Sequence, residues 1–401
     1  MSTKHSTGVR RGRLRTLLGG LASTALMMGV ASAQVPQQLG SEATASLQEE
    51  STILSAPPSD SRRVYVLDPG HFNMTSTVYT IDGGSSSLLA MTDAGKLPHV
   101  MVASDGRFFA VANTVYSRIA RGTRDDYLEL IDSRTHDVLA DIDIPEGRFL
   151  TGVLERLAAL SADDRHLLFQ QFSPSPAVGL VDLEKKAFVK MMEVPDCYHL
   201  FPVPQQQFFM HCRDGSLLQV SYDAEGNTRQ TSTKVFHGEN EYLLNNPFYS
   251  NASGRLVWPS YEGRIFQAKL STAGAEFLAP IEVFTEQEKA AKWRPGGWQP
   301  VTYHKASNEI YLLADQREKW THKLPSRFVF VVDGSTGKRL RRIDLGHEID
   351  AIGVSQDASP LLYAVSATDK TLYIHDARSG AALGTVDELG RAPTLIVTPD
   401  R

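Results

Sequence analysis

A period of about 48 residues constrains this chain more than any other feature. From Arg62 to the C-terminus, short β-rich runs alternate with turn clusters every ~8–12 residues. Each unit reads as an apolar strand, often ending in Asp, then a turn, a second strand, a turn with Asp and Gly, and a third strand. Units open at residues 78, 128, 178, 216, 264, 328 and 371. A four-stranded propeller blade needs roughly 40–50 residues. One sandwich could hardly use so many strands, whereas radial repetition can, leaving only short protected edges. The expectation is an all-β, seven-bladed β-propeller over residues 62–401. The early run at 64–67 has no place in the first unit. It is expected to pair into the last blade, beside the C-terminal run at 394–397, and so close the ring.

One segment breaks the β pattern. Thr285 and Glu288 have the spacing of a capping box, which starts a helix. Residues 289–293 continue it and Pro295-Gly296-Gly297 ends it. This predicts a short helix inserted in the fifth blade.

The first 33 residues are of another kind. Lys4, Arg10, Arg11, Arg13 and Arg15 precede an apolar, small-residue run at 17–30, and Ala31-Ser32-Ala33 closes it. That is the layout of a secretory signal peptide, with Gln34 as the expected first mature residue. Gly19, Gly20, Ser23 and Thr24 dilute the run, which falls short of the ~20 apolar residues a membrane span prefers. Arg10-Arg11 leaves a twin-arginine export route open. Residues 34–61, rich in Gln, Ser, Glu, Ala and Pro, read as a flexible N-terminal arm. Losing five basic residues turns 41 basic against 46 acidic groups into 36 against 46, from net −5 to −10. So acidic a mature chain is a poor nucleic-acid binder.

Both cysteines, Cys197 and Cys212, fall in the mature part. An even, closely spaced pair in an exported chain suggests a disulfide. The other reading is a metal site from Cys197, His199, His211 and Cys212, although these spacings are not those of the usual zinc modules. No Gly-rich phosphate loop, HExxH, GxSxG or CxxC is present. Trp258, Trp293, Trp298 and Trp320 fall irregularly. Propellers that bind a quinone in their own channel usually repeat an aromatic docking motif once per blade. No catalytic residue and no resident metal is therefore expected in this chain.

Several strings are too unusual for generic propeller sequence: Ser117-Arg118-Ile119-Ala120-Arg121-Gly122, Val194-Pro195-Asp196-Cys197-Tyr198-His199, Phe209-Met210-His211-Cys212-Arg213-Asp214-Gly215-Ser216, Trp293-Arg294-Pro295-Gly296-Gly297-Trp298 and Gly346-His347-Glu348-Ile349-Asp350. In this order, from about Arg62 to the C-terminus, the chain resembles the heavy chain of bacterial methylamine dehydrogenase. The resemblance implies a seven-bladed propeller that joins as two heavy and two light chains. It implies that the light chain carries tryptophan tryptophylquinone, made from two of its own Trp residues. Methylamine would be oxidised to formaldehyde and ammonia in the periplasm, and electrons would pass to the blue-copper protein amicyanin. By residue, it implies a Cys197–Cys212 disulfide and places Phe72 at the mouth of the substrate channel. Arg213 is expected to face the light chain.

Two other readings share the propeller. One is the heavy chain of aromatic amine dehydrogenase, which takes a larger substrate. The other is a stand-alone periplasmic propeller, either a peptide-binding module or a lactonase-type hydrolase. The hydrolase would need a metal-binding ring of carboxylates in the central channel.

Overall fold

A computed structural model of the protein describes residues 55–70 and 75–400. Among these, seven antiparallel sheets follow one another along the chain. The second blade shows the common plan: His99–Val102 is innermost, then Phe108–Arg118, Arg121–Asp132 and the outermost Val138–Asp143. The sixth blade is larger, because Trp293–Pro295 and Val301–His304 both pair with Glu309–Gln316.

Both faces of the inner strands are buried, so strands such as Arg63–Asp68 and His166–Gln171 read as continuous apolar runs, whereas outermost strands such as Thr228–Val235 are largely exposed. In Arg63–Asp68, Val64 and Val66 pack toward the seventh blade, while Tyr65 and Leu67 pack toward the second. Seven apolar clusters result, one between each pair of neighbouring blades. Gly179 marks a close approach within the third blade: a Cβ there would lie 2.1 Å from the Phe169 ring.

The ring closes in the first blade. Leu395–Val397 is its innermost strand and pairs with Arg63–Asp68, which pairs with Ser76–Asp82 and then Ser87–Ala94. The run at 64–67 is thus the second strand of the first blade, not a strand of the last one. The chain crosses the seam through its C-terminal strand.

The strand-ending Asp residues acquire a role. Asp82, Asp132, Asp182, Asp333 and Asp376 each accept hydrogen bonds from the backbone N–H groups two and three residues on. Each closes the turn between the two outer strands of a blade. These backbone donors hold the Asp132, Asp333 and Asp376 carboxyls below the usual range.

The helix is shorter than expected. It spans Glu286–Ala290, with both arms of the Thr285 capping box formed, between the fifth and sixth blades rather than within the fifth. Lys292 takes a left-handed φ of 64°. Trp293 then enters a strand and packs on Phe328 and Phe330. Packing of that half-buried indole outweighs the helix-forming pattern that runs up to it.

Residues 55–61 lie against the propeller. The Ala56 N–H donates to the Arg134 carbonyl at 2.7 Å, and Arg63 Nη2 donates to the Pro57 carbonyl at 2.8 Å. The signal segment and the rest of the arm lie outside the described residues. No described helix is long and apolar enough to cross a membrane.

Candidate functional site

Antiparallel four-stranded blades put their loops on two faces. One, here the lower face, carries the Asp-closed turns. The other, the upper face, carries the turns between middle strands and the links from blade to blade. Exposed large apolar side chains separate along this division. Ile119, Phe172, Tyr198, Tyr242, Trp320 and Leu324 all stand on the upper face or its rim. The other seven in the described residues sit on outermost strands, and none sits on a lower-face loop. Apolar groups gathered on one face mark an interaction surface.

Trp320 forms the most aromatic part of it. It is 60% exposed, stacks on Tyr261 at 4.9 Å and meets Tyr242 edge-on at 5.5 Å. Arg294 lies over the other partner, Tyr261, at 5.6 Å. Nearby, Pro69, Gly70, Leu97, Val153, Trp298 and Lys323 line an apolar recess of about 330 Å³. Trp298 is fixed there by its Nε1–H, which donates to the Val153 carbonyl at 2.6 Å. Phe72 lies outside the described residues; Pro69 and Gly70, which lead into it, form one wall of this recess.

The two cysteines stand opposite one another on neighbouring strands, Cys197–Val203 and Gln207–Cys212, and are joined as a disulfide. Their Cα atoms are 4.0 Å apart. The bond closes a loop of 15 residues, which contributes about 3 kcal/mol on the chain-entropy model. Arg213 follows directly. Its side chain is 88% exposed, and its Nη1 lies 4.0 Å from Asp196. The structure brings Cys197, Cys212 and Arg213 together on the upper face.

Beneath the disulfide lies a cluster that sequence reasoning named only as a possible metal set. His199 Nε2 donates to the Asn245 carbonyl at 2.9 Å, and His211 Nε2 lies 2.7 Å from His237 Nε2. Trp258 packs on both His199 and His211. Burial pushes His199 down to about 4 and His211 to about 3, the latter helped by its two histidine neighbours. The two rings are neutral near pH 7, packed on Trp258, and each makes its one hydrogen-bonding contact through Nε2, which reads as a structural cluster. With both sulfurs in a disulfide, the alternative metal set loses its thiolates.

The central channel is filled by charged and polar side chains with no sequence signature. Glu155 pairs with Arg156 at 2.8 Å, and Arg156 Nη2 donates to the Tyr249 carbonyl at 2.6 Å. Asp400 pairs with Lys305 at 3.0 Å. Gln299 completes the plug by bonding the backbone of Ile396 in both directions, at 2.9 Å each. The channel carboxylates are thus committed to cations. No group of three His, Cys, Asp or Glu among the described residues is placed to hold a metal ion.

The four tryptophans also lie apart in function. Trp258 Nε1 is bonded to the Leu244 carbonyl, Trp298 Nε1 to Val153, Trp293 packs on two phenylalanines and Trp320 on two tyrosines. No ring contact among the described residues joins two of them, so they do not fit a quinone built from a Trp pair.

The family model for methylamine dehydrogenase heavy chain matches residues 60–400. The chain belongs to the methylamine dehydrogenase heavy chain family. It is 68% identical to the methylamine dehydrogenase heavy chain of Methylophilus methylotrophus, over 99% of each chain. It is 64% identical to that of Methylobacillus flagellatus, covering 96% of this chain and 98% of the relative. With that of Methylorubrum extorquens it shares 50% identity, over 96% and 93%. A methylamine dehydrogenase heavy chain is one subunit of an amine dehydrogenase, and its name implies assembly with a light chain.

Solved structures add the fold alone. The β-propeller domain of Myceliophteria thermophila Cps50 superposes with a TM-score of 0.50 at 10% identity, over 78% of this chain and 94% of that one. A dihydro-heme d1 dehydrogenase, NirN, gives 0.54 at 14% identity, over 85% and 76%.

Proposed function

We propose that this chain is the non-catalytic heavy subunit of a periplasmic methylamine dehydrogenase, and that its upper face seats the light chain. The observation that carries the proposal is that, among the described residues, every exposed loop aromatic lies on the face that holds the disulfide and the Pro69–Trp298 recess. In the assembly, two heavy and two light chains, methylamine and water become formaldehyde and ammonia, with two electrons and two protons released. Tryptophan tryptophylquinone in the light chain supplies the electron sink, and amicyanin takes the electrons onward. This chain's part is to orient the light chain, exclude water around the recess and limit what enters it. Arg213, exposed beside the disulfide, is assigned to the light-chain contact. Export with cleavage after Ala33 fits an oxidised cysteine pair.

Phe72 is assigned to the mouth of the substrate channel, where a ring excludes bulk by shape. Phe72→Ala in the assembled enzyme removes most of a side chain able to cover roughly 150–250 Å². Pocket discrimination of one methylene is worth about 1–3 kcal/mol, or roughly 10–200-fold in relative specificity. The kcat/KM ratio for methylamine against a longer alkylamine should therefore shift toward the longer amine by at least about tenfold. Assembly should survive, since one ring at the mouth contributes little to so large a contact. An unchanged ratio in intact enzyme would reduce Phe72 to packing.

A further inference from the structure

The lower face carries a feature that the subunit role does not use. Between the fifth and sixth blades lies a cavity of about 540 Å³. Arg255, Gln267 and Lys269 form one wall, and Tyr303, Asn308 and Ser335 the other.

Arg255 is 93% buried, at 7% relative exposure, yet it pairs with no carboxylate. Its Nη2 donates to Gln267 Oε1 and to the Gly334 carbonyl, and its guanidinium lies over the Tyr303 ring at 5.6 Å. Its Nε, also buried, has no partner in the protein. Burial disfavours the charge and pulls the guanidinium below its ordinary range. A buried arginine usually recovers that cost from an ion pair.

The surrounding charges do not provide one. Glu276, opposite Lys269 on the adjoining strand, lies near enough to Arg255 to favour its charge somewhat, but it forms no close ion pair with Arg255 or Lys269. Asp333 is held in its turn by Ser335 and Thr336, and Asp400 by Lys305. The neutral groups are arranged to donate. Tyr303 Oη donates to Asn308 Oδ1 at 2.8 Å, and Asn308 Nδ2 donates to Ser335 Oγ at 2.7 Å. That leaves the Ser335 hydroxyl proton available to a further acceptor.

We propose that this cavity binds a small oxyanion, a phosphate or a carboxylate, between the Arg255 guanidinium and the Lys269 ammonium. Arginine's planar fork suits such an anion, and charge-assisted bonds in a half-enclosed site are the stronger kind. The site lies on the face opposite the aromatic rim and does not depend on light-chain docking.

The test uses the mature chain as purified from the periplasm, with whatever subunits accompany it. Calorimetric titration with inorganic phosphate, and separately with succinate, is compared with sodium chloride at matched ionic strength. Saturable binding of one anion per chain is expected, and which probe binds names the chemistry. Lys269→Ala, an exposed change that leaves the fold alone, should weaken binding at least about tenfold, as should Arg255→Gln if it folds. No saturable binding by either probe, or binding that Lys269→Ala leaves unchanged, would overturn the site. Amine turnover is not the readout, so failure here and failure of the subunit role are separate results.

Discussion

Ending the chain after Ala392 should abolish folded protein. The deleted segment supplies the innermost strand of the first blade, Leu395–Val397. Its three side chains are 1%, 2% and 8% exposed. At about 1.5–3 kcal/mol each, their burial amounts to roughly 5–9 kcal/mol. A whole domain is stable by only ~5–15 kcal/mol. The truncation also leaves the backbone of Arg63–Asp68 unpaired along the seam, an open edge of the kind that aggregates. Gln299 loses both bonds to Ile396, so the channel plug goes with it. Soluble yield and circular dichroism of the truncated chain provide the check. A native-like melting transition within a few degrees of the full chain would show that the ring does not close through this strand.

Acid should destabilise the protein well above the range in which its carboxylates titrate. An unfolded histidine has a value near 6.5, against about 4 for folded His199 and about 3 for folded His211. Between those values the unfolded chain binds protons that the folded chain refuses. Stability is therefore complete above pH ~6.5 and falls as pH drops, by about 1.4 kcal/mol per pH unit for each histidine. For His199, 1% exposed, the loss by pH ~4 is on the order of 3 kcal/mol. Burial is the main cause, and Arg156 adds to it. Asp164, Glu155 and Asp350, raised by burial, act in the opposite sense, so the comparison must be between variants. Denaturant unfolding of the parent and of His199→Gln at pH 7 and 4.5 isolates the effect. The variant should lose about 2–3 kcal/mol less than the parent across that interval. Equal losses would mean that His199 takes up its proton without unfolding.

The blade count was legible because an Asp that closes the outer turn recurs in five of the seven blades. Asp82, Asp132, Asp182, Asp333 and Asp376 give a signal that does not depend on knowing the sheets. The phase of the repeat was not legible. A closed ring has no natural first strand, and units anchored on the third strand of each blade run across two sheets. That is why residues 64–67 appeared to belong to the last blade.

The disulfide was readable from an even, closely spaced cysteine pair behind an expected export signal. The face that carries the exposed aromatics was not, because Phe172, Tyr198, Tyr242 and Trp320 share no spacing. They share a face only once alternate turns are assigned to the two ends of the blades. The channel plug had no signal either, since Glu155, Gln299 and Asp400 meet only at the axis.

The most direct measurement is turnover by this chain alone. Purified without a light chain, it should oxidise no methylamine and show no quinone absorbance, and both should appear when the light chain is added back. Methylamine oxidation or quinone absorbance from the isolated chain would contradict its role as the non-catalytic subunit.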